Sequence, residues 1–125
     1  MSHRLLVVED NPLNRELLCD WLDTEGFIVE AAANLREAFA AFELRPPQAV
    51  LLDVQLGPED GLAFAAWIRN DPRFRSLPVI AVTAHAMLTD QHRVLHAGCN
   101  ACVSKPIDFA ILKNHLQAFL PDIRF

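Results

Sequence analysis

Short apolar runs alternate along this chain with longer stretches of helical period, and few architectures accommodate that alternation. Leu5 to Val8 reads as a buried strand, after which Asn11 caps a helix with Pro12 at its first position. Leu17, Leu18, Trp21 and Leu22 make the apolar face of that helix, and Gly26 ends it. Phe27 to Ala32 is a weaker second strand. Leu35 to Leu44 is a second helix with its period carried by Ala38, Phe39 and Phe42, stopped by Pro46 and Pro47. Ala49 to Leu52 is apolar without alternation, as a strand covered on both faces should be, and it runs into Asp53 before a loop holding Gly57, Pro58 and Gly61. Leu62 to Arg69, Met87 to Ala97 and Asp108 to Leu120 read as helices, with Pro78 to Val82 and Ala101 to Ser104 as the strands between them. Five βα repeats predict an α/β fold, a doubly wound five-stranded parallel sheet with helices on both faces.

Composition narrows what such a chain can do. At 125 residues and 52% hydrophobic, it fits one domain that can bury a full core without disulfides or a structural metal. The odd set Cys19, Cys99 and Cys102 reads as free thiols in a reducing compartment, so the expected location is cytoplasmic. The N-terminal apolar run is broken by Glu9 and Asp10, too soon for a signal peptide or a membrane span. A net charge of −5 disfavours nucleic acid and favours cationic ligands or protein partners.

Doubly wound sheets bind ligands beyond the carboxyl ends of their strands. The polar residues there are Glu9 and Asp10 after the first strand, Asp53 after the third, Thr83 after the fourth and Lys105 after the fifth. Carboxylates brought together repel by about 4 kcal/mol per pair at ~4 Å and an effective dielectric near ~20, so a cation should sit among them. Oxygen-only ligands suit Mg²⁺, which commonly bridges carboxylates to a phosphoryl group. Lys105 as a point charge and Thr83 as a short donor complete a site for a phosphoryl group carried on a carboxylate.

Val7-Val8-Glu9-Asp10-Asn11, Leu51-Leu52-Asp53, Ala81-Val82-Thr83-Ala84 and Val103-Ser104-Lys105-Pro106 together resemble the response-regulator receiver domain of two-component signalling, over essentially the whole chain. The resemblance implies a flavodoxin-like strand order 2-1-3-4-5, and with only Pro121 to Phe125 after Leu120 the expectation is one receiver domain over residues 1–125 with no output domain in this chain, either a single-domain regulator or a receiver cut from something larger such as a hybrid sensor kinase. It also implies Asp53 as phosphoacceptor, Glu9 and Asp10 as the Mg²⁺-binding acidic pair with Asp53 and the Gln55 backbone carbonyl, Thr83 as switch hydroxyl, and a Lys105-Pro106 bond in the cis form. Gln55, Ala84 and His85 fall where the family tunes phosphoryl lifetime. The implied donor is a sensor histidine kinase or a histidine phosphotransfer protein. The implied output is altered affinity for a protein partner at the fourth helix, fifth strand and fifth helix, where Ile111 and Phe119 are candidate exposed residues. A homodimer is a further partner the resemblance admits.

Two positions depart from the family pattern. Cys102 stands where a tyrosine or phenylalanine is usual, so no aromatic rotamer swing can link Thr83 to the output face. Gly57 followed by Pro58 replaces a proline four residues past the phosphoacceptor, which predicts a differently shaped loop.

Rival chemistries leave weaker traces. His92, His96, Cys99 and Cys102 show His-x3-His and Cys-x2-Cys spacings, but the gap between the pairs is short and the cysteines straddle a turn and a core strand. His85, His92 and His96 read as a solvated helix face. Gln55 occupies the place where a haloacid-dehalogenase phosphatase or a Toprim nuclease needs a second aspartate, and no P-loop is present. The alternative of a different class is a receiver-shaped interaction module that works without phosphorylation.

Overall fold

The computed structural model describes residues 3–84 and 88–122, with the side chains of residues 88–90 excepted. Its five long strands are β1 (Arg4–Val8), β2 (Ile28–Ala32), β3 (Ala49–Asp53), β6 (Val79–Thr83) and β7 (Ala101–Ser104). They pair in parallel in the order β2-β1-β3-β6-β7, which is 2-1-3-4-5 when the long strands alone are numbered. Their crossovers are α1 (Pro12–Thr24), α2 (Leu35–Leu44), α3 (Leu62–Arg69) and α4 (Leu88–His96), and α5 (Phe109–Phe119) closes the fold. The predicted fold class therefore holds. No helix among the described residues is long and apolar enough to cross a membrane.

The central strands alternate between two cores. Leu6, Val8, Val50, Leu52, Val79 and Ala81 face the core closed by α2, α3 and α4, whereas Leu5, Val7, Ala49, Leu51 and Ile80 face the one closed by α1 and α5. This two-sided burial explains why β1, β3 and β6 are apolar at nearly every position. An aromatic cluster fills the first core, with Phe42 edge-on to Phe74 at 4.9 Å and Phe39 edge-on to Trp67 at 5.0 Å between ring centroids. In the second, Trp21 of α1 stacks on Phe109 of α5 at 4.8 Å.

Helix starts follow local chemistry. Asn11 Oδ1 accepts from the Asn14 N–H at 3.0 Å and Pro12 occupies the first turn, as expected. At α2, Asn34 Oδ1 accepts from Glu37 N–H at 2.9 Å while Glu37 Oε1 accepts from Ala33 N–H at 3.0 Å, a reciprocal cap.

Several expectations need correction. Leu17, assigned to the buried face of α1, is 55% exposed, because Leu18 and Leu22 take the inward positions. Phe27 precedes β2 instead of joining it: its N–H closes the end of α1 on Leu22 O at 3.1 Å. The stretch after Asp53 is a hairpin, β4 (Gln55–Leu56) antiparallel to β5 (Glu59–Asp60). Gly57 has φ +59° at the first turn position and Pro58 fixes a negative φ at the second, a combination that closes a two-residue hairpin. Of the two residues flagged on α5, Ile111 is exposed and Phe119 is half-buried. Met87, expected to start α4, lies outside the described residues.

Candidate functional site

Strand register places the site. Val8 of β1 pairs with Leu52 of β3, so Glu9 and Asp53 emerge at the same level of the sheet. Asp53 in turn pairs with Val82, and Thr83 with Ser104, which carries Thr83 and Lys105 to the same rim. Backbone bonds extend each pairing past the strand ends: Glu9 N–H to Ala32 O at 3.0 Å, Val54 N–H to Val82 O at 3.0 Å, and Lys105 N–H to Thr83 O at 2.7 Å.

Glu9, Asp53 and Thr83 are each only 4% exposed, while Asp10 is exposed at the rim. Lys105 Nζ donates to Asp53 Oδ2 at 2.9 Å and to Glu9 Oε1 at 3.1 Å, joining two buried carboxylates through one ammonium. The other Asp53 oxygen, Oδ1, accepts from the Gln55 backbone N–H at 3.0 Å. Burial, reinforced by the neighbouring Asp53 carboxylate, pushes the Glu9 carboxyl up to about 7, with Lys105 pulling the other way. Burial also works against the charge on Lys105, but the carboxylates of Asp53 and Glu9 outweigh it and hold the ammonium above its ordinary value.

Glu9, Asp10 and Asp53 each bring one carboxylate oxygen within 4.8 Å of the others. An all-oxygen group carrying three formal negative charges against one ammonium is the donor set a hard divalent cation takes. The residues present therefore fit Mg²⁺. His92, His96, Cys99 and Cys102 do not form a comparable group, and Cys99 is buried.

The hairpin after Asp53 is held close to it. A Cβ on Gly61 would lie 2.0 Å from the Asp53 carbonyl oxygen, so only glycine lets the chain return there, and Gly61 N–H donates to Val54 O at 2.8 Å. Glu59 accepts from Leu35 N–H at 3.1 Å at the start of α2, and Asp60 pairs with Arg93 of α4 at 2.9 Å. On the other side, an apolar cavity of about 440 Å³ adjoins Glu9, Asp53 and Lys105, with Asn14, Leu17, Pro106, Ile107 and Phe109 among its lining residues.

Of the remaining predicted positions, Gln55 and Ala84 are exposed beside the rim and Cys102 is half-buried against the α2–α3–α4 core, while His85 lies outside the described residues. The Lys105-Pro106 bond is cis, as the resemblance implied. Sequence reasoning gave no site role to Arg15, whose guanidinium donates to the Glu9 carbonyl at 3.0 Å. The only signal in the sequence was a basic residue one turn into the helix that follows the acidic pair.

A doubly wound sheet whose strand ends gather buried carboxylates around one lysine defines the class, and the comparisons identify it. The response regulator receiver domain model matches residues 5–117, and the chain belongs to that family. It is 35% identical to the polar-differentiation response regulator DivK of Brucella anthropi over 122 residues, covering 98% of this chain and 99% of that one. Among solved structures it is similar to the receiver domain of a sensor histidine kinase of Pseudomonas aeruginosa PAO1, with a TM-score of 0.87 and 32% identity over 98% of this chain and all (100%) of the other. That structure has a magnesium ion coordinated in its active site cleft. The receiver domain of a histidine kinase from Syntrophus aciditrophicus matches with a TM-score of 0.87 and 30% identity, covering 98% and 93% of the two chains.

Proposed function

We propose that this receiver takes a phosphoryl group from a phosphohistidine onto the Asp53 carboxylate and thereby changes its affinity for a protein partner. The observation that carries the reading is the contact set around Asp53, a buried carboxylate that bonds Lys105 while Glu9 and Asp10 bring further oxygens within 4.8 Å. A carboxylate oxygen of Asp53 attacks phosphorus as the phosphorus–nitrogen bond breaks to a donor imidazole ring that already carries a proton on its other nitrogen, so that neutral imidazole leaves with the bonding pair. The product is an acyl phosphate.

Each side chain has a separate task. Lys105 offsets charge on the transferring oxygens as a fixed donor. The Gln55 N–H holds Oδ1 and so orients the attacking carboxylate. Glu9, Asp10, Asp53 and the Gln55 carbonyl would hold Mg²⁺, which supplies Lewis-acid neutralisation of phosphoryl charge when bound. Thr83, buried at the end of β6, would donate its hydroxyl to the new phosphoryl group. A protein donor, either a sensor histidine kinase or a phosphotransfer protein, would rest on the apolar cavity beside α1 while presenting its histidine. The output surface is the α4, β7 and α5 face, with Ile111 its exposed apolar residue on α5.

The test is intact mass spectrometry after incubation with acetyl phosphate, with and without Mg²⁺, on the native chain and on Asp53→Asn. A Mg²⁺-dependent gain of one phosphoryl group by the native chain alone supports the reading. No gain under any condition, with Mg²⁺ binding confirmed separately, makes the phosphorylation-independent interaction module the better account.

A further inference from the structure

The turn that carries two of the three clustered carboxylates is gripped from behind. Glu9 is tied to β2 through its N–H, and Asn11 caps α1, which leaves the Glu9–Asp10–Asn11 peptides as the span between strand and helix. Arg15, half-buried in the first turns of α1, turns its guanidinium back onto that span. Its Nη1 donates to the carbonyl oxygen of Glu9 at 3.0 Å and of Asp10 at 3.4 Å. Those carbonyls belong to the same two residues whose carboxylates meet Asp53 within 4.8 Å. Fixing two successive carbonyls fixes the intervening peptide plane, and with it the directions in which the two Cα–Cβ bonds leave the chain.

Resting on the reading of Glu9, Asp10 and Asp53 as the Mg²⁺ ligand set, we propose that Arg15 is a positioning residue that holds the acidic turn in its cation-binding geometry before the ion arrives. Among the described residues its guanidinium hydrogen bonds end on backbone carbonyls and not on the carboxylates, so it acts through the backbone. Both bonds leave one nitrogen of a planar guanidinium, which holds its two N–H directions fixed in one plane, whereas an ammonium is a compact point charge on a flexible stem.

The experiment compares the native chain with Arg15→Ala, Arg15→Lys and Arg36→Ala, the last removing an exposed positive charge from α2. Four quantities are read: the Mg²⁺ dissociation constant by calorimetry, amide exchange at Asp10 and Asn11 in metal-free buffer, the thermal midpoint, and the acetyl phosphate labelling rate at saturating Mg²⁺. Arg15→Ala should weaken Mg²⁺ binding about tenfold, the scale seen when supporting groups of a metal site are removed. It should also speed exchange at Asp10 and Asn11, and leave the rate at saturating Mg²⁺ within about twofold of native. Arg15→Lys should recover part of the affinity and Arg36→Ala should match the native chain. A Mg²⁺ affinity unchanged in Arg15→Ala while its thermal midpoint falls would overturn the proposal in favour of a purely structural role. Equal weakening by Arg36→Ala would overturn it in favour of general charge. If the native chain itself binds no Mg²⁺, the ligand-set reading fails and takes the proposal with it, whereas native binding without an Arg15 effect sinks this proposal alone.

Discussion

Lys105 Nζ stands 2.9 Å from Asp53 Oδ2 in a pair whose side chains are only 24% and 4% exposed, and the same ammonium reaches Glu9 at 3.1 Å. One lysine thus serves two buried carboxylates, so the charge at the strand ends is only partly balanced by the chain itself. The balance shows in Glu9, whose carboxyl is the member pushed up to about 7.

Stability in metal-free buffer should therefore depend on pH through Glu9. A carboxyl whose folded value lies above its unfolded one binds its proton more tightly in the folded chain. Stability is accordingly lost as pH rises from about 4.5, where the unfolded side chain ionises, to about 7, where the folded one does. Thermal unfolding of the native chain and of Glu9→Gln in EDTA should diverge across that window, the variant becoming relatively more stable and the gap levelling above pH ~7. Parallel curves would show that Glu9 ionises in the folded chain without penalty.

Asp10→Ala should weaken Mg²⁺ binding while leaving the thermal midpoint close to native, because Asp10 is exposed at the rim and its side chain lies outside both cores. Calorimetric titration checks the first part and thermal melting the second.

Gly61→Ala places a methyl where the Asp53 carbonyl oxygen already stands, 2.0 Å from the new carbon. The hairpin must move away from β3, at an expected loss of about 1–3 kcal/mol by urea unfolding. Labelling by acetyl phosphate should slow as well, since the Gln55 N–H that orients Asp53 rides on the same hairpin.

Cys99 should resist alkylation in the native state. Burial pushes its thiol up to about 12, with Arg69 acting in the opposite direction, and the side chain is 5% exposed. Iodoacetamide at pH ~8 followed by peptide mapping should find Cys99 unmodified until denaturant is added.

Phe42→Ala should cost about 3–5 kcal/mol in urea unfolding, because Phe42 is 1% exposed and meets Phe64, Trp67 and Phe74 edge-on. Leu44→Ala, two residues along the same helix at a position 84% exposed, should stay within about 0.5 kcal/mol of native.

What the sequence disclosed and what it hid divide along physical lines. The long strands were legible because burial on both faces demands unbroken apolar runs such as Val50-Leu51-Leu52, and the polar residues that end them stood out against that background. Leu17 was misplaced because helical period alone does not say which of two adjacent leucines turns inward, and here Leu18 does. Strands of two residues, such as Gln55–Leu56 and Glu59–Asp60, are too short to show any period, so the hairpin was hidden. The Arg15 contacts were equally invisible: they end on backbone carbonyls, which every residue carries.

The bond between Glu9 and Lys105 joins residues 96 positions apart, with Asp53 midway between them. No contiguous stretch of this chain therefore holds a working fraction of the site. A ribosome must deliver the chain through β7 before Lys105 can meet the carboxylates, so the nascent domain cannot assemble the site until its last strand has been made. A single protease cut in any crossover divides groups that only the folded sheet keeps together, so the contacts among Glu9, Asp53 and Lys105 report on the whole domain at once.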